Sequence, residues 1–188
     1  MSRRGLGMLL ENENIKLGPV LEDEFEKIAG WYWHESLVRR LDASPYRFRT
    51  AEELKKWWLE KDDAARRFGI RLNDTNALIG FVEIDGILWN HRNAWVSIAI
   101  GESAEWGKGY GKEAMECCIR YAFLELNLHR LQLTVFSYNE SAIRLYAALG
   151  FVKEGAHREF IERNGKKYDM LLYGLLRSEW QNDNDYPL

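Results

Sequence analysis

One junction constrains the fold of this chain more than any other. Residues 93–101, ending Ser97-Ile98-Ala99-Ile100-Gly101, read as a strand and run into a loop with glycine at 107, 109 and 111. From Lys112 onward, Met115, Cys118, Ile119, Ala122, Phe123 and Leu126 recur at helical spacing, and residues 131–136 read as another strand. A strand, a loop, a helix and a second strand form one β-loop-α-β unit, which requires a parallel strand pair at this place.

Elsewhere the strands read as hairpins. Residues 68–72 and 77–84 alternate like paired strands across Asn73-Asp74-Thr75-Asn76, and residues 151–162 and 167–176 flank Asn164-Gly165, a strong hairpin signal. Residues 14–20 read as a first strand ending at Pro19, followed by a helix through Phe25, Ile28 and Ala29. Thr50-Ala51-Glu52-Glu53 is a capping box that opens a second helix carrying Leu54, Trp57 and Trp58. Residues 141–149 place Ala142, Leu145, Tyr146 and Leu149 on one face of a short helix. The expected order is β-α-α-β-β-β-α-β-α-β-β: a mixed, mostly antiparallel central sheet flanked by helices, not a doubly wound one. With no repeat, no linker composition and three prolines, one domain is expected over residues 14–180, with an N-terminal extension at 1–13 and a tail at 181–188.

Composition narrows the function classes. A net charge of −3 argues against general affinity for nucleic acid or anionic membrane. The short apolar run within residues 1–10 cannot serve as a signal-peptide core, and no run is long enough to span a bilayer, so a cytoplasmic protein is expected. Cys117 and Cys118 are helix neighbours pointing to different sides, which suggests no disulfide framework. The four histidines show no metal-ligand spacing, and no metal site is expected.

A strand that runs through glycines into a helix exposes unpaired N–H groups at the positive end of the helix dipole, an arrangement that binds phosphate. Gly107, Gly109 and Gly111 let a ligand approach the backbone, while Lys108 and Lys112 add charge for a diphosphate. Two nucleotide motifs fit poorly. Gly101 and Gly107 are separated by five residues where a P-loop has four, and Gly109 replaces the magnesium-binding hydroxyl. The loop is G-x-G-x-G in mid-chain, not a G-x-G-x-x-G fingerprint after the first strand of a doubly wound sheet.

Trp106-Gly107-Lys108-Gly109-Tyr110-Gly111 resembles the Q/R-x-x-G-x-G/A pyrophosphate loop of the GNAT N-acetyltransferase superfamily. Asn139, Ala142, Tyr146, Gly150 and Phe151 resemble that family's second motif, N-x-x-A-x-x-x-Y-x-x-x-G-F, at the correct distance. The similarity runs from about Ile15 to Trp180; Trp106 departs from it, standing where many members have Gln or Arg. Gly155, Arg158, Asn164-Gly165 and Tyr168-Asp169 are similar to the RimJ/RimL-like branch, which includes ribosomal-protein N-terminal acetyltransferases, while residues 79–84 and His91-Arg92 resemble spermidine acetyltransferases.

The resemblance implies a GNAT-like fold and acetyl-CoA as co-substrate. It implies that the cofactor arm pairs with Ile98, Ala99 and Ile100, and that Trp106, Gly107, Lys108, Gly109, Tyr110 and Gly111 hold the pyrophosphate. Tyr146 matches the family's general acid, although it also shares an apolar face with Ala142 and Leu145, as a core tyrosine would. Asn139 is suited both to capping its helix and to bonding the cofactor arm. Glu83 is the candidate base, and its alternation with Val82 and Ile84 equally suits a surface glutamate. Trp31, Trp33 and Glu35 offer an aromatic and acidic neighbourhood for a cationic amine.

The expected reaction is direct acetyl transfer to a primary amine, preferably the α-amine of a peptide or amino-acid-like molecule, in a groove walled by the last hairpin. Spermidine is the alternative acceptor. It is disfavoured because Gly86 and Trp95 stand where the resembled enzymes tend to carry glutamates. A non-catalytic CoA- or nucleotide-binding module is the rival of another class. A homodimer is left open.

Overall fold

The computed structural model describes residues 9–180. The expected tail, and the first eight residues of the expected N-terminal extension, lie outside the described residues. The elements run β1 (Ile15–Gly18), α1 (Phe25–Trp31), α2 (Glu35–Leu41), α3 (Ala51–Leu59), β2 (Arg66–Leu72), β3 (Leu78–Leu88), β4 (Asn93–Ile100), α4 (Tyr110–Arg120), β5 (Arg130–Phe136), α5 (Glu140–Ala148), β6 (Val152–Arg163) and β7 (Lys166–Leu176). They form a seven-stranded sheet of order β1-β2-β3-β4-β5-β7-β6. Only β4 and β5 pair in parallel; the other neighbours are antiparallel. The expected architecture is present with one helix more than expected, α2.

Local chemistry explains the boundaries. Thr50 caps α3 by accepting from the Glu53 N–H, and the Glu53 carboxylate answers at the Thr50 N–H, closing the capping box. Asn164 and Gly165 both take positive φ, 53° and 72°, which the tight β6–β7 turn requires. The π-helical turn Tyr121–Glu125 ends the long crossover helix.

Strand alternation sends side chains to two cores. Val82, Ile84 and Val96 face the larger one, built with Met115, Ile119 and Phe123 of α4 and its extension and with Leu131 and Leu133 of β5. Phe81 and Ala99 face the smaller one, with Phe25, Ile28 and Trp31 of α1, Leu37 of α2 and Leu54 of α3. The chain before β1 is tied to the larger side: buried Arg120 donates to the carbonyls of Leu9 and Glu11. Arg71, also buried, bonds Glu24 through both terminal nitrogens and fixes the turn that leads into α1.

α1 is seated against the end of β4 by one close approach. An added Cβ at Gly101 would lie 2.0 Å from Trp31 Cδ2, and the Trp31 indole donates to Glu102 at 2.9 Å. Gly101→Ala must therefore displace a buried indole. Overpacking of this kind costs about 1–3 kcal/mol, so the melting temperature should fall by several degrees, at roughly 2–4 °C per kcal/mol for a chain this long. Gly30→Ala is the matched control: it lies in α1 with nothing within 4 Å of the added Cβ, and should leave the melting temperature unchanged or raise it. Equal melting temperatures for Gly101→Ala and the parent would contradict this packing.

Candidate functional site

The parallel pair β4–β5 is short. It holds only at Asn93–Arg130, Ala94–Leu131 and Trp95–Gln132, after which the strands part. From Val96 to Ile100, the edge of β4 turned toward β5 has no strand partner. A cavity of about 480 Å³ opens in this wedge. Ile98, Ala99 and Ile100 line it from β4 and Thr134 and Val135 from β5; Trp106, Gly107, Gly109, Tyr110 and Gly111 lie at the start of α4, with Asn139 and Tyr146 on the α5 side. The two motifs, some thirty residues apart in sequence, thus share one cavity.

The glycine loop has the geometry of an anion cradle. Gly107 and Gly109 have φ of 76° and 90°, and an added Cβ at either would meet nothing within 4 Å, so the space over the backbone is open. Gly109 is the N-cap of α4 and its carbonyl takes the Lys112 and Glu113 N–H groups. Among the described residues, the N–H groups of Gly107, Lys108, Gly109, Tyr110 and Gly111 have no acceptor. Five consecutive free donors at a helix N-terminus favour a diphosphate by hydrogen bonding and by the helix dipole. The Lys108 side chain turns away and pairs with Glu105 at 2.8 Å.

Trp106 acts through its side chain. Its own N–H is spent on Ser103, and its indole donates to the Ile100 carbonyl at 2.8 Å, which ties the loop to the end of β4. The Arg40 guanidinium from α2 lies over the indole, 5.8 Å from its centroid. Trp106 therefore does not present a cationic or amide group to the cavity, and the free donors begin at Gly107.

Tyr146 is buried beside Phe151 and Tyr173, with ring centroids 5.8 and 6.5 Å away. Its hydroxyl has no hydrogen-bond partner among the described residues. Desolvation pushes the phenol up to about 12, so it keeps its proton across the whole working pH range. Asn139 caps α5: its Oδ1 accepts from the Ala142 N–H at 3.4 Å and the Ser141 hydroxyl at 3.1 Å. Its amide nitrogen remains free to face the cavity that Asn139 lines.

On the smaller-core face of the sheet, Glu83 stands opposite Ser97 of β4 on one side and Arg67 of β2 on the other. It is buried, and Arg67 Nε donates to its Oε1 at 2.6 Å. Burial raises the Glu83 carboxyl despite the opposing pull of Arg67, and raises Asp85, two residues along the same face. Glu83 is thus neither a solvated surface residue nor part of the cavity wall; its cross-strand neighbour Ser97 lines that wall.

The three early residues expected to meet an amine are dispersed. Trp31 is buried in the smaller core and bonds Glu102. Trp33 is 62% exposed and stands at a separate depression with Phe48 and Thr50. Glu35 is ion-paired with Arg39 on the surface of α2. What sequence reasoning missed is α2 itself, which brings Leu37, Arg40 and Leu41 to the cavity. Its signal was present in Leu37, Val38 and Leu41 on one face with Glu35 first and two arginines last. The hairpin also behaves differently from an open groove wall. Its tip docks on this region: Arg39 donates to Asn164 Oδ1 at 3.1 Å and Arg163 to the Asp42 carbonyl at 2.9 Å; from the β5–α5 loop, the Tyr138 hydroxyl donates to the Arg39 carbonyl.

Comparison with known proteins agrees with this geometry. The acetyltransferase (GNAT) domain family matches residues 14–152. The spermidine N(1)-acetyltransferase of Vibrio cholerae is 34% identical over 155 residues, covering 82% of this chain and 83% of that protein. The SPbeta prophage-derived N-acetyltransferase YokL of Bacillus subtilis is 32% identical over 150 residues, covering 78% and 82%. Among solved structures, spermidine N-acetyltransferase from Vibrio cholerae in complex with CoA and spermine superposes with a TM-score of 0.82 at 28% identity, over 91% of this chain and all of that one. The family match spans the strands that part and the loop between them, and this chain accordingly belongs to the GNAT acetyltransferases and is an acyltransferase acting on nitrogen.

Proposed function

We propose that the wedge and the glycine loop bind acetyl-CoA, and that the acceptor is a small cationic amine of the polyamine kind. The observation that carries the first part is the run of free donors from Gly107 to Gly111 beside an unpaired strand edge, one suited to a diphosphate and the other to an amide-bearing arm. The relative solved with CoA and spermine supports both parts. For the acceptor, the docking of the hairpin tip on α2 narrows the opening that a peptide would need. The buried Glu83 and the half-buried Asp85 offer an ammonium group compensation for leaving water. The peptide α-amine expected from the sequence rests on the likeness to the RimJ/RimL-like branch, on the last hairpin as a groove wall and on Gly86 and Trp95 in place of glutamates; the docked hairpin tip weakens the second ground, and the third still counts against spermidine.

Each residue then has one task. Glu83 takes a proton from the acceptor's ammonium, directly or through water, and frees a lone pair on nitrogen. The amine attacks the thioester carbonyl, and a backbone N–H of the open β4 edge stabilises the developing oxyanion. As the carbon–sulfur bond breaks, Tyr146 gives its proton to the sulfur, and the phenolate recovers one from the attacking nitrogen. The sum is one amide, one thiol and one proton released. A phenol near 12 is a weaker acid than the thiol it serves, so it transfers its proton only as charge develops on sulfur and never loses it beforehand.

Tyr146→Phe removes the hydroxyl alone. Turnover should fall about 10²- to 10⁴-fold, with acetyl-CoA affinity little changed and no loss of melting temperature, because the hydroxyl surrenders no hydrogen bond in the folded chain. A variant with near-normal kcat would make Tyr146 a core residue only. Acceptor choice is read from thiol release against spermidine, an aminoglycoside, free amino acids and peptides beginning with Ser or Ala. Saturable turnover is expected with spermidine or another small polyamine and little with peptides; saturable turnover of peptides alone would overturn the polyamine reading while leaving the acetyltransferase standing.

A further inference from the structure

The acceptor side of the sheet contains a cation of its own. Arg67 and Glu83 are close to nine-tenths buried, at 12% and 9% side-chain exposure, and meet through a single hydrogen bond. The guanidinium is held on its other side by the Trp57 ring of α3, 4.8 Å from the centroid. That leaves Glu83 Oε2 without a hydrogen-bond partner among the described residues, on the face shared with Ser97. The charged and titratable groups bearing on Glu83 come from every surrounding element. Arg67 lies on β2, Asp85 on its own strand, Asp62 on the segment before β2 and Tyr32 at the end of α1, where Arg49 and Asp42 flank it. The facing residue of β4, Ser97, carries no charge.

We propose that Arg67 is a positioning residue for acetyl transfer: braced on Trp57, it holds the Glu83 carboxylate ionised in its buried place and leaves Oε2 as the oxygen that receives the acceptor's proton. The proposal rests on Glu83 as the base. Two carboxylates and loss of water both favour the neutral acid at this position, and Arg67 is the group that opposes them. A neutral Glu83 cannot accept a proton, so Arg67 sets the lower pH at which the enzyme works. The bond geometry matters as well, since Nε engages one oxygen only.

The test is the pH dependence of kcat/KM for three variants, with the acceptor that the panel above identifies as turned over. Arg67→Met keeps an apolar stem against Trp57 and removes the charge; the acidic limb should move up by about one pH unit or more, with the alkaline plateau partly retained. Arg67→Lys restores the charge and should bring the limb back toward the parent. Glu83→Gln should abolish that limb and most of the activity. Acetyl-CoA affinity should be unchanged in all three. If Glu83→Gln keeps the parental rate and limb, the base reading fails, and the role of Arg67 with it. If Glu83→Gln loses the limb but Arg67→Met lowers the rate equally at every pH, Arg67 is structural and the proposal is overturned. Should the methionine variant not fold, Arg67→Gln removes the same charge and reads on the same limb.

Discussion

The site depends on two strands that stop pairing. β4 and β5 hold together for three residue pairs and then separate, and backbone groups in a sheet interior cannot be left without partners at no cost. The open β4 edge and the free amides of Gly107 to Gly111 are two halves of one deficit, both facing the same cavity. A ligand with a diphosphate at one end and peptide-like amides along its length satisfies both. The remainder of the fold keeps this deficit open. α4 packs one face of β4 into the larger core, Gly101 lets α1 close on the strand's end, and the Trp106 indole ties the loop back to Ile100.

The other side of the sheet is built on compensation. Glu83 and Arg67 are costly to bury singly, and each lowers the cost of the other. Trp57 covers the guanidinium, and the hairpin tip is docked on α2 and the segment after it. The buried Glu83 carboxylate is stripped of much of its water, which raises its carboxyl. Tyr146 follows the opposite logic. It is packed against aromatic rings, has no hydrogen-bond partner among the described residues, and burial keeps its proton in place.

The strands, their antiparallel bias and the single parallel crossover were legible because each rests on short-range signals: alternation, Asn164-Gly165, the capping box at Thr50, and helical spacing after the glycines. The loop's open backbone and its place at the start of α4 were legible too, since glycine at 107, 109 and 111 has few other uses ahead of a helix. α2 was not, because seven residues give barely two turns of periodicity and the neighbouring tryptophans read as a ligand wall. Trp31, Trp33 and Glu35 are close in sequence, yet they end in the core, on the surface and in an ion pair, because a short helix end and a turn send adjacent side chains in different directions. The Arg67–Glu83 pair lies across sixteen residues and two strands, and strand register is needed to see it.

The central claim is that the cavity between β4, β5 and the glycine loop is an acetyl-CoA site. Thermal denaturation of the parent protein with acetyl-CoA, NAD and ATP in parallel tests it most directly. Ligand at about a hundred times its Kd adds about 2.7 kcal/mol, which for a chain this long raises the melting temperature by roughly 5–10 °C. The account predicts that shift for acetyl-CoA and none of comparable size for NAD or ATP; a shift with either nucleotide and none with acetyl-CoA would contradict it.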